Sequence, residues 1–136
     1  MDAVLLDTDI LSEVLKQRNS IVAAKALAYL QQYGRFAISR ITRYEVRRGH
    51  LAKNALLALS RFEQFCSHNL LIPVGDTIEN RAAELWAIAQ NGGCSCGDAD
   101  LLIAATALES QLVLVTGNTA QFNWIPGLKV ENWRIP

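Results

Sequence analysis

The sequence predicts an α/β fold in which a central, mainly parallel sheet of about four to five strands is covered by helices on both faces. Short apolar runs alternate with longer stretches of helical periodicity along the chain, as in successive strand–helix–strand units. The apolar runs do not alternate with polar residues, which indicates strands buried on both faces. A length of 136 residues suits a single domain with one core.

In the first half of the chain, two apolar runs predict strands, Val4–Leu6 and Phe36–Ile38. The helical patterns are Ile10–Lys16, Ser20–Tyr33, Ile41–Arg48 and Leu51–Cys66. Gly34 and Gly49 are expected to end the second and third of these helices, because glycine readily adopts the left-handed conformation that follows a helix.

In the second half, the spacing of Asp76 and Glu79 is that of a capping box and predicts a helix from Asp76 to about Gln90. A glycine-rich loop follows over residues 91–97. The remaining predicted elements are strand Leu70–Val74, helix Asp98–Glu109, and strands Leu112–Val115 and Lys129–Trp133. Because helices separate the strands, the connections are expected to be right-handed crossovers between parallel strands.

The composition excludes several classes of protein. With 51% hydrophobic and 19% charged residues, the chain is expected to be globular rather than disordered. No apolar run approaches the roughly 18–20 residues of a membrane span. Met1–Ala3 lacks the basic segment of a signal peptide and Asp7 interrupts the first apolar run, so a cytoplasmic location is predicted.

The three cysteines, Cys66, Cys94 and Cys96, are expected to be free thiols, since their number is odd and their spacing does not match a zinc site. The 13 basic and 13 acidic residues give a formal net charge of zero. Proteins that bind nucleic acid by counterion release usually carry a basic excess. Any contact with nucleic acid therefore requires a local concentration of positive charge.

Side chains with oxygen ligands lie at several predicted strand ends and helix starts. They are Asp7 and Asp9 after the first strand, Glu45 in the helix after the second, Asp98 and Asp100 at the start of a later helix, and Asn118 after Leu112–Val115. Residues that follow parallel strands lie at one edge of the sheet, where ligands bind in open α/β folds. We therefore expect these oxygens to converge.

Converging carboxylates favour a bound cation. Two carboxylates about 4 Å apart repel by roughly 4 kcal/mol at an effective dielectric constant near 20. Oxygen ligands without clustered histidine or cysteine select Mg²⁺ or Mn²⁺ over zinc. A divalent cation held by acids is common equipment for cleaving phosphodiester bonds.

These residues also have purely structural interpretations. Asp or Thr at a helix start often caps the helix, and Asn often serves in a turn. The capping alternatives are Asp7 or Asp9 for the first helix, Thr42 with Glu45 as a capping box, and Asp98 for its own helix; the turn alternative is Asn118.

Four segments, in this order, resemble the motifs of the PIN-domain ribonucleases, and specifically the VapC-like toxins of type II toxin–antitoxin pairs. They are Leu5–Ser12, Ile38–Glu45, Gly97–Ala105 and Val115–Phe122, and the tail Ile125–Trp133 also resembles the ending of that family. The resemblance spans almost the whole chain. It implies a PIN-like three-layer α/β/α sandwich formed by one domain, residues 1–136.

Residue by residue, the resemblance identifies Asp7, Glu45 and Asp100 with the family's metal-binding acids. Asp98 is a neighbour that either assists them or caps its helix. Asn118 occupies a position where the family often has aspartate. Its amide oxygen can bind a cation or orient a water, but it adds no charge, so one strong cation site is expected.

The resemblance implies a Mg²⁺- or Mn²⁺-dependent endoribonuclease that hydrolyses RNA with a metal-activated water and forms no covalent intermediate. It also implies a VapB-like antitoxin as partner, a homodimer or larger toxin–antitoxin assembly, and transfer or ribosomal RNA as substrate. Four arginines around Glu45 form a candidate RNA-binding patch: Arg40, Arg43, Arg47 and Arg48. The alternative for each arginine is an ion-paired or solvated helix face.

Two other functions compete with this interpretation. Asp7-Thr8-Asp9 also resembles the nucleophile motif of haloacid-dehalogenase-like phosphatases, but Leu11 stands where that motif needs threonine and the chain is short. A non-catalytic PIN-like binding module is the second alternative. The intact acids argue against the module, and Asn118 argues for it.

Overall fold

The computed structural model describes all 136 residues and contains five strands and six α-helices. The strands are β1 (Val4–Leu6), β2 (Ala37–Ser39), β3 (Leu70–Ile72), β4 (Val113–Val115) and β5 (Val130–Glu131). The helices are α1 (Thr8–Lys16), α2 (Ser20–Tyr33), α3 (Arg40–Ala52), α4 (Leu56–Ser67), α5 (Asp76–Gly92) and α6 (Asp98–Glu109), and a 3₁₀ turn (Thr119–Gln121) follows β4. None of the helices combines the length and the apolar character needed to cross a membrane.

All five strands pair in parallel, in the order β3-β2-β1-β4-β5. β1 is therefore central, and Leu5 lies beside Ala37 of β2 on one side and Leu114 of β4 on the other. The chain first builds the sheet outward from β1 to β3 and then returns to add β4 on the opposite side of β1. This reversal places the carboxyl ends of β2, β1 and β4 around one crevice, the usual ligand site of such sheets.

The core has two halves, one on each face of the sheet. Val4 and Leu6 of β1 face the half that contains α1, α2, α4 and the buried Trp133, whereas Leu5 faces the half formed by α5 and α6. Side chains of a strand alternate between faces, so both faces of β1 are covered. The predicted three-layer sandwich with a parallel sheet is confirmed.

The predicted boundary between the third and fourth helices is wrong. α3 begins at Arg40 and continues past Gly49 to Ala52, and α4 begins at Leu56 rather than Leu51. Asn54 instead adopts the left-handed conformation between them, with φ of 53°. Glycine inside a helix costs only about 1 kcal/mol, so Gly49 does not end the helix by itself.

The predicted cap Asp76 and the capping alternatives for Asp98 and Thr42 are also wrong. α5 is preceded by Gly75 and α6 by Gly97, so Asp76 and Asp98 lie inside the first turns of these helices. Ser39, not Thr42, caps α3, and its hydroxyl accepts a hydrogen bond from the Ile41 amide. α5 also continues to Gly92, and β3 and β5 are shorter than the predicted strands.

Candidate active site

Asp7 directly follows the central strand and is the most buried acid of the chain, with 7% of its surface exposed. One carboxylate oxygen accepts the Thr8 amide at 2.8 Å and so caps α1. The other accepts the hydroxyl of Thr116, which follows β4, also at 2.8 Å. Burial raises the pKa of Asp7 to about 6; the two hydrogen bonds oppose this rise, and the nearby Asp9 and Asp100 add to it.

Glu45 reaches the same crevice from the second turn of α3. Its Oε1 accepts the hydroxyl of Thr8 at 2.9 Å, and Oε2 lies 3.8 Å from a guanidinium nitrogen of Arg48. The Thr8 hydroxyl also lies 3.4 Å from that of Thr42. The hydrogen bond from the Thr8 hydroxyl therefore holds the Glu45 side chain at the start of α1.

Asp100 lies in the first turn of α6 and is partly buried. Burial raises the pKa of Asp100, and repulsion from Glu45 and then from Asp9 raises it further. Asp100 therefore lies within electrostatic range of Glu45 on α3 and Asp9 on α1. The sequence-predicted acids Asp7, Glu45 and Asp100 are thus brought to one place, and their role as metal ligands stays a prediction.

Asp98 lies elsewhere. It is exposed and lines a groove between α5 and α6 together with Glu79 and Trp86. Asp98 and Asp100 are two residues apart on one helix, and this spacing turns their side chains to different sides. The structure therefore separates the two acids of the Gly97–Asp100 segment.

Asp9 neither caps α1 nor lies free at the sheet edge, as its two interpretations from the sequence would require. Its Oδ1 accepts the Ile10 amide at 2.8 Å, and its Oδ2 accepts the Gly117 amide at 2.9 Å. Oδ2 also lies 3.6 Å from the guanidinium of Arg134. Asp9 therefore joins the start of α1 to the loop after β4 and to the last residues of the chain.

Asn118 is exposed, and its side chain makes no hydrogen bond. Its backbone amide donates to the Thr116 hydroxyl at 3.1 Å, and its carbonyl accepts the Gln121 amide at 3.1 Å. These contacts fit the turn alternative for Asn118, and its part at a cation stays a prediction.

The predicted arginine patch is divided in two. Arg43 and Arg47 both bind Glu63 of α4, at 2.9 and 2.8 Å, which favours the ion-pair alternative for these two residues. Arg48 lies beside Glu45 and over the ring of Tyr44, and Arg40 is exposed and forms no ion pair. Of these four arginines, only Arg40 and Arg48 therefore do not form an ion pair with Glu63.

Sequence reasoning missed four residues of this site: Thr8, Thr116, Gly117 and Arg134. Thr8 and Thr116 directly follow Asp7 and β4, so the strand-end rule that selected the acids applies equally to these hydroxyls. Arg134 is far from Asp9 in sequence, and no local pattern signals their contact.

The side-chain oxygen atoms of this site are of the kind that binds a hard divalent cation. As the side chains stand, no three acidic, histidine or cysteine side chains form a tight cage. Glu45 is instead hydrogen-bonded to Thr8, and Asp9 to Gly117. The candidate ligands are oxygen atoms only, and beyond the effect of burial, Asp9 and Asp100 raise the pKa of Asp7 while Glu45 and Asp9 raise that of Asp100. A cation placed among them removes this repulsion, and Asp7, Glu45 and Asp100 are the residues that would hold it.

Thr116→Val is expected to lower any activity of this site about 10-fold at neutral pH. The variant removes the hydroxyl that favours ionised Asp7, so the pKa of Asp7 rises above about 6. A larger fraction of Asp7 is then protonated near pH 6 than near pH 8, and the deficit should shrink as the pH increases. A pH–rate profile tests this, with Thr106→Val as a matched control, because Thr106 is equally buried and bonds only to its own helix. An equal deficit at all pH values would contradict the explanation.

Comparison with known protein families gives a match to the PIN domain over residues 4–125. Ribonuclease VapC2 of Rickettsia felis is 32% identical over 121 residues, which cover 89% of this chain and 80% of that protein. Ribonuclease VapC2 of Haemophilus influenzae is 26% identical over 130 residues, covering 95% and 96% of the two chains.

Solved structures of VapBC and related complexes also resemble this chain. A chain of VapBC2 from R. felis, bound to a DNA fragment from its promoter, superposes with a TM-score of 0.85 at 28% identity and covers 96% of this chain and 98% of its own. DNA-bound VapBC from Salmonella typhimurium gives 0.82 at 27% identity, with 98% and 99% covered. FitAcB from Neisseria gonorrhoeae gives 0.76 at 28% identity, with 98% and 99% covered.

Proposed function

Because this chain belongs to the PIN-domain family, and within it to the VapC group, we propose that it is a Mg²⁺- or Mn²⁺-dependent endoribonuclease and the toxin of a toxin–antitoxin pair. The main support is the buried Asp7 carboxylate, with its raised pKa, beside Asp100 and Asp9 at the carboxyl end of the central strand. An acid whose pKa is raised by burial, and further by neighbouring acids, indicates a functional site rather than a stabilising feature.

The chain's own residues would prepare the site. Thr116 and the Thr8 amide fix the Asp7 carboxylate, and the Thr8 hydroxyl fixes Glu45. Asp7, Glu45 and Asp100 would hold the cation. When bound there, a divalent cation would lower the pKa of a water and neutralise charge on the phosphate.

The RNA backbone would be held beside the acids by Arg40 and Arg48. Both arginines lie on α3, which carries Glu45 and starts at the carboxyl edge of β2. Phosphate contacts of this kind position a nucleic acid without reading its sequence. Because the formal net charge of the chain is zero, binding of RNA would depend on this local positive charge.

The proposed partner is a VapB-like antitoxin, because several structural relatives are VapBC complexes. We further propose a homodimer or larger assembly, a cytoplasmic location, and transfer or ribosomal RNA as the substrate. The assembly and the substrate rest on the resemblance to VapC-like toxins, and the location rests on the sequence-based expectation.

Of the two competing functions, the phosphatase is excluded by membership of the PIN family. The binding module differs from the nuclease in one observable. A module retains partner contacts but cleaves no RNA, whether or not Mn²⁺ is present.

Incubation of the purified chain with end-labelled total RNA tests the proposal. The expected result is a discrete set of fragments with Mn²⁺ or Mg²⁺, no fragments after EDTA, and the same fragments once Mn²⁺ is restored. Cleavage that survives exhaustive chelation would contradict the role of the cation, and intact RNA under all conditions would favour the binding module.

Asn118→Asp is expected to lower the Mn²⁺ concentration needed for half-maximal cleavage by about 2- to 3-fold. The added carboxylate attracts the cation, but the side chain is exposed, so solvent screens much of the effect. Mn²⁺ titrations of wild type and variant in one RNA assay measure the shift. Identical curves would show that Asn118 serves only the turn.

A further inference from the structure

The last residues of the chain are fixed beside the site by a buried side chain and a contact with α2, and a local hydrogen bond shapes the turn between them. Trp133 is fully buried in the core. The side chain of Asn132 accepts the Arg134 amide at 2.9 Å, and Lys25 of α2 donates to the Ile135 carbonyl. The backbone of Arg134 is therefore held at one place next to α1.

From this place the Arg134 guanidinium contacts two acids on α1. One terminal nitrogen lies 3.6 Å from Asp9 Oδ2 and the other 3.5 Å from Glu13 Oε1. Asp9 and Glu13 are four residues apart and share one face of the helix. A planar guanidinium can bridge two such carboxylates, whereas a lysine ammonium is a single point charge.

The loop after β4 leaves room for this arrangement only because residue 117 is glycine. A Cβ atom at Gly117 would lie 2.6 Å from Asp9 Oδ2 and would overlap the Arg134 guanidinium. In the structure the Gly117 amide instead donates to the same Asp9 oxygen. The preceding residue of this loop is Thr116, whose hydroxyl holds Asp7.

We propose that Arg134 is a positioning residue, which keeps Asp9 bound to Gly117 and so fixes the Thr116 hydroxyl on Asp7. Its effect on cation binding rests on the proposed function. Direct binding of an RNA phosphate is the other role for an arginine at this edge. It is disfavoured because Asp9 and Glu13 already compensate the Arg134 charge.

Direct measurement of Mn²⁺ affinity by calorimetry tests the proposal. Arg134→Ala is expected to weaken binding about 5- to 10-fold, at the lower end of the effects of residues that orient metal ligands, and Arg134→Lys should restore only part of the loss. Arg81→Ala is a matched control, because the Arg81–Glu109 pair has nearly the same exposure but joins α5 to the far end of α6. The melting temperatures of the Arg134 and Arg81 variants should agree closely, since exposed ion pairs contribute little to stability.

A double-variant cycle separates positioning from phosphate binding. If Arg134 acts through Asp9, then Arg134→Ala should cause little further loss of Mn²⁺ affinity or kcat in a chain that already carries Asp9→Asn. A residue that binds RNA directly would instead raise KM in both backgrounds and leave Mn²⁺ affinity unchanged. Full additivity of the two substitutions would overturn the proposal.

Hydrogen exchange at the Gly117 amide gives a test that does not depend on catalysis. Arg134→Ala should speed this exchange several-fold, while Arg81→Ala should leave it unchanged. Unchanged exchange in Arg134→Ala would overturn the positioning role. If wild type binds no Mn²⁺, the proposed function fails, but the exchange rates still decide whether Arg134 holds Asp9.

Discussion

Asp7→Asn is expected to reduce RNA cleavage by at least about 100-fold, because it removes charge from the carboxylate at the centre of the site. Residues that only orient a metal ligand typically contribute 10- to 100-fold, so a ligand itself should contribute at least as much. Asparagine has nearly the same volume and can still accept the Thr8 amide, so the fold should be retained.

The same substitution should stabilise the cation-free protein at neutral pH. The pKa of Asp7 is raised from 3.8 to about 6 in the folded protein. The folded state therefore binds more protons than the unfolded state between these values, and the stability of wild type falls as the pH rises through this range. The full shift corresponds to a cost of about 3 kcal/mol above pH 6, which the variant does not carry.

Urea denaturation in EDTA measures this effect. The variant should be more stable than wild type by about 1–3 kcal/mol at pH 7.5, and the difference should disappear near pH 4. Asp2→Asn is a suitable control, because Asp2 is exposed and precedes β1 at the opposite end of the strand. A variant that cleaves RNA like wild type, or is less stable at pH 7.5, would contradict the assignment of Asp7.

Asp100→Asn is expected to cause a loss of cleavage comparable to that of Asp7→Asn, and Asp98→Asn a loss of less than about 3-fold. Both acids lie in the first turn of α6 and both interact favourably with the helix dipole, by about 0.3–1 kcal/mol. Only Asp100 is partly buried and repelled by Glu45 and Asp9. Asp98 faces the groove beside Trp86.

The two variants therefore control for each other. Each loses one negative charge from the same helix turn, but Asp100→Asn should be the more stable variant in the absence of cation, because burial and repulsion from Glu45 and Asp9 raise the pKa of Asp100. Cleavage and Mn²⁺ affinity, measured side by side, isolate the effect of position. Equal losses in both variants would mean that the charge of the helix start, rather than the location of Asp100, matters for activity.

The sheet and the position of the acids could be predicted from the sequence because they follow from local patterns. Leu5 and Leu114 belong to short apolar runs, and short apolar runs separated by helices fold in few ways. The acid after the first run, Asp7, then falls at the edge of the sheet without knowledge of any contact. Ser20–Tyr33 and Asp98–Glu109 were also correct to the residue.

Other features depend on contacts between distant segments and left no local pattern. Arg43 and Arg47 share one face of α3, and the sequence around them does not indicate which acid they bind. Their partner, Glu63, lies on the next helix. The end of α3 was misplaced because Gly49 is a strong local signal, yet the helix continues through Gly49 to Ala52. The contact between Arg134 and Asp9 exists only once the tail has folded back over α1.

The most direct test of the account is the location of Mn²⁺ in crystals of the protein, measured by anomalous diffraction after soaking. We expect an anomalous peak at the carboxyl end of β1, with the carboxylate of Asp7 and that of Glu45 or Asp100 as ligands, and no such peak in Asp7→Asn. A peak at another place, or none at the sheet edge at a Mn²⁺ concentration that supports RNA cleavage, would contradict it.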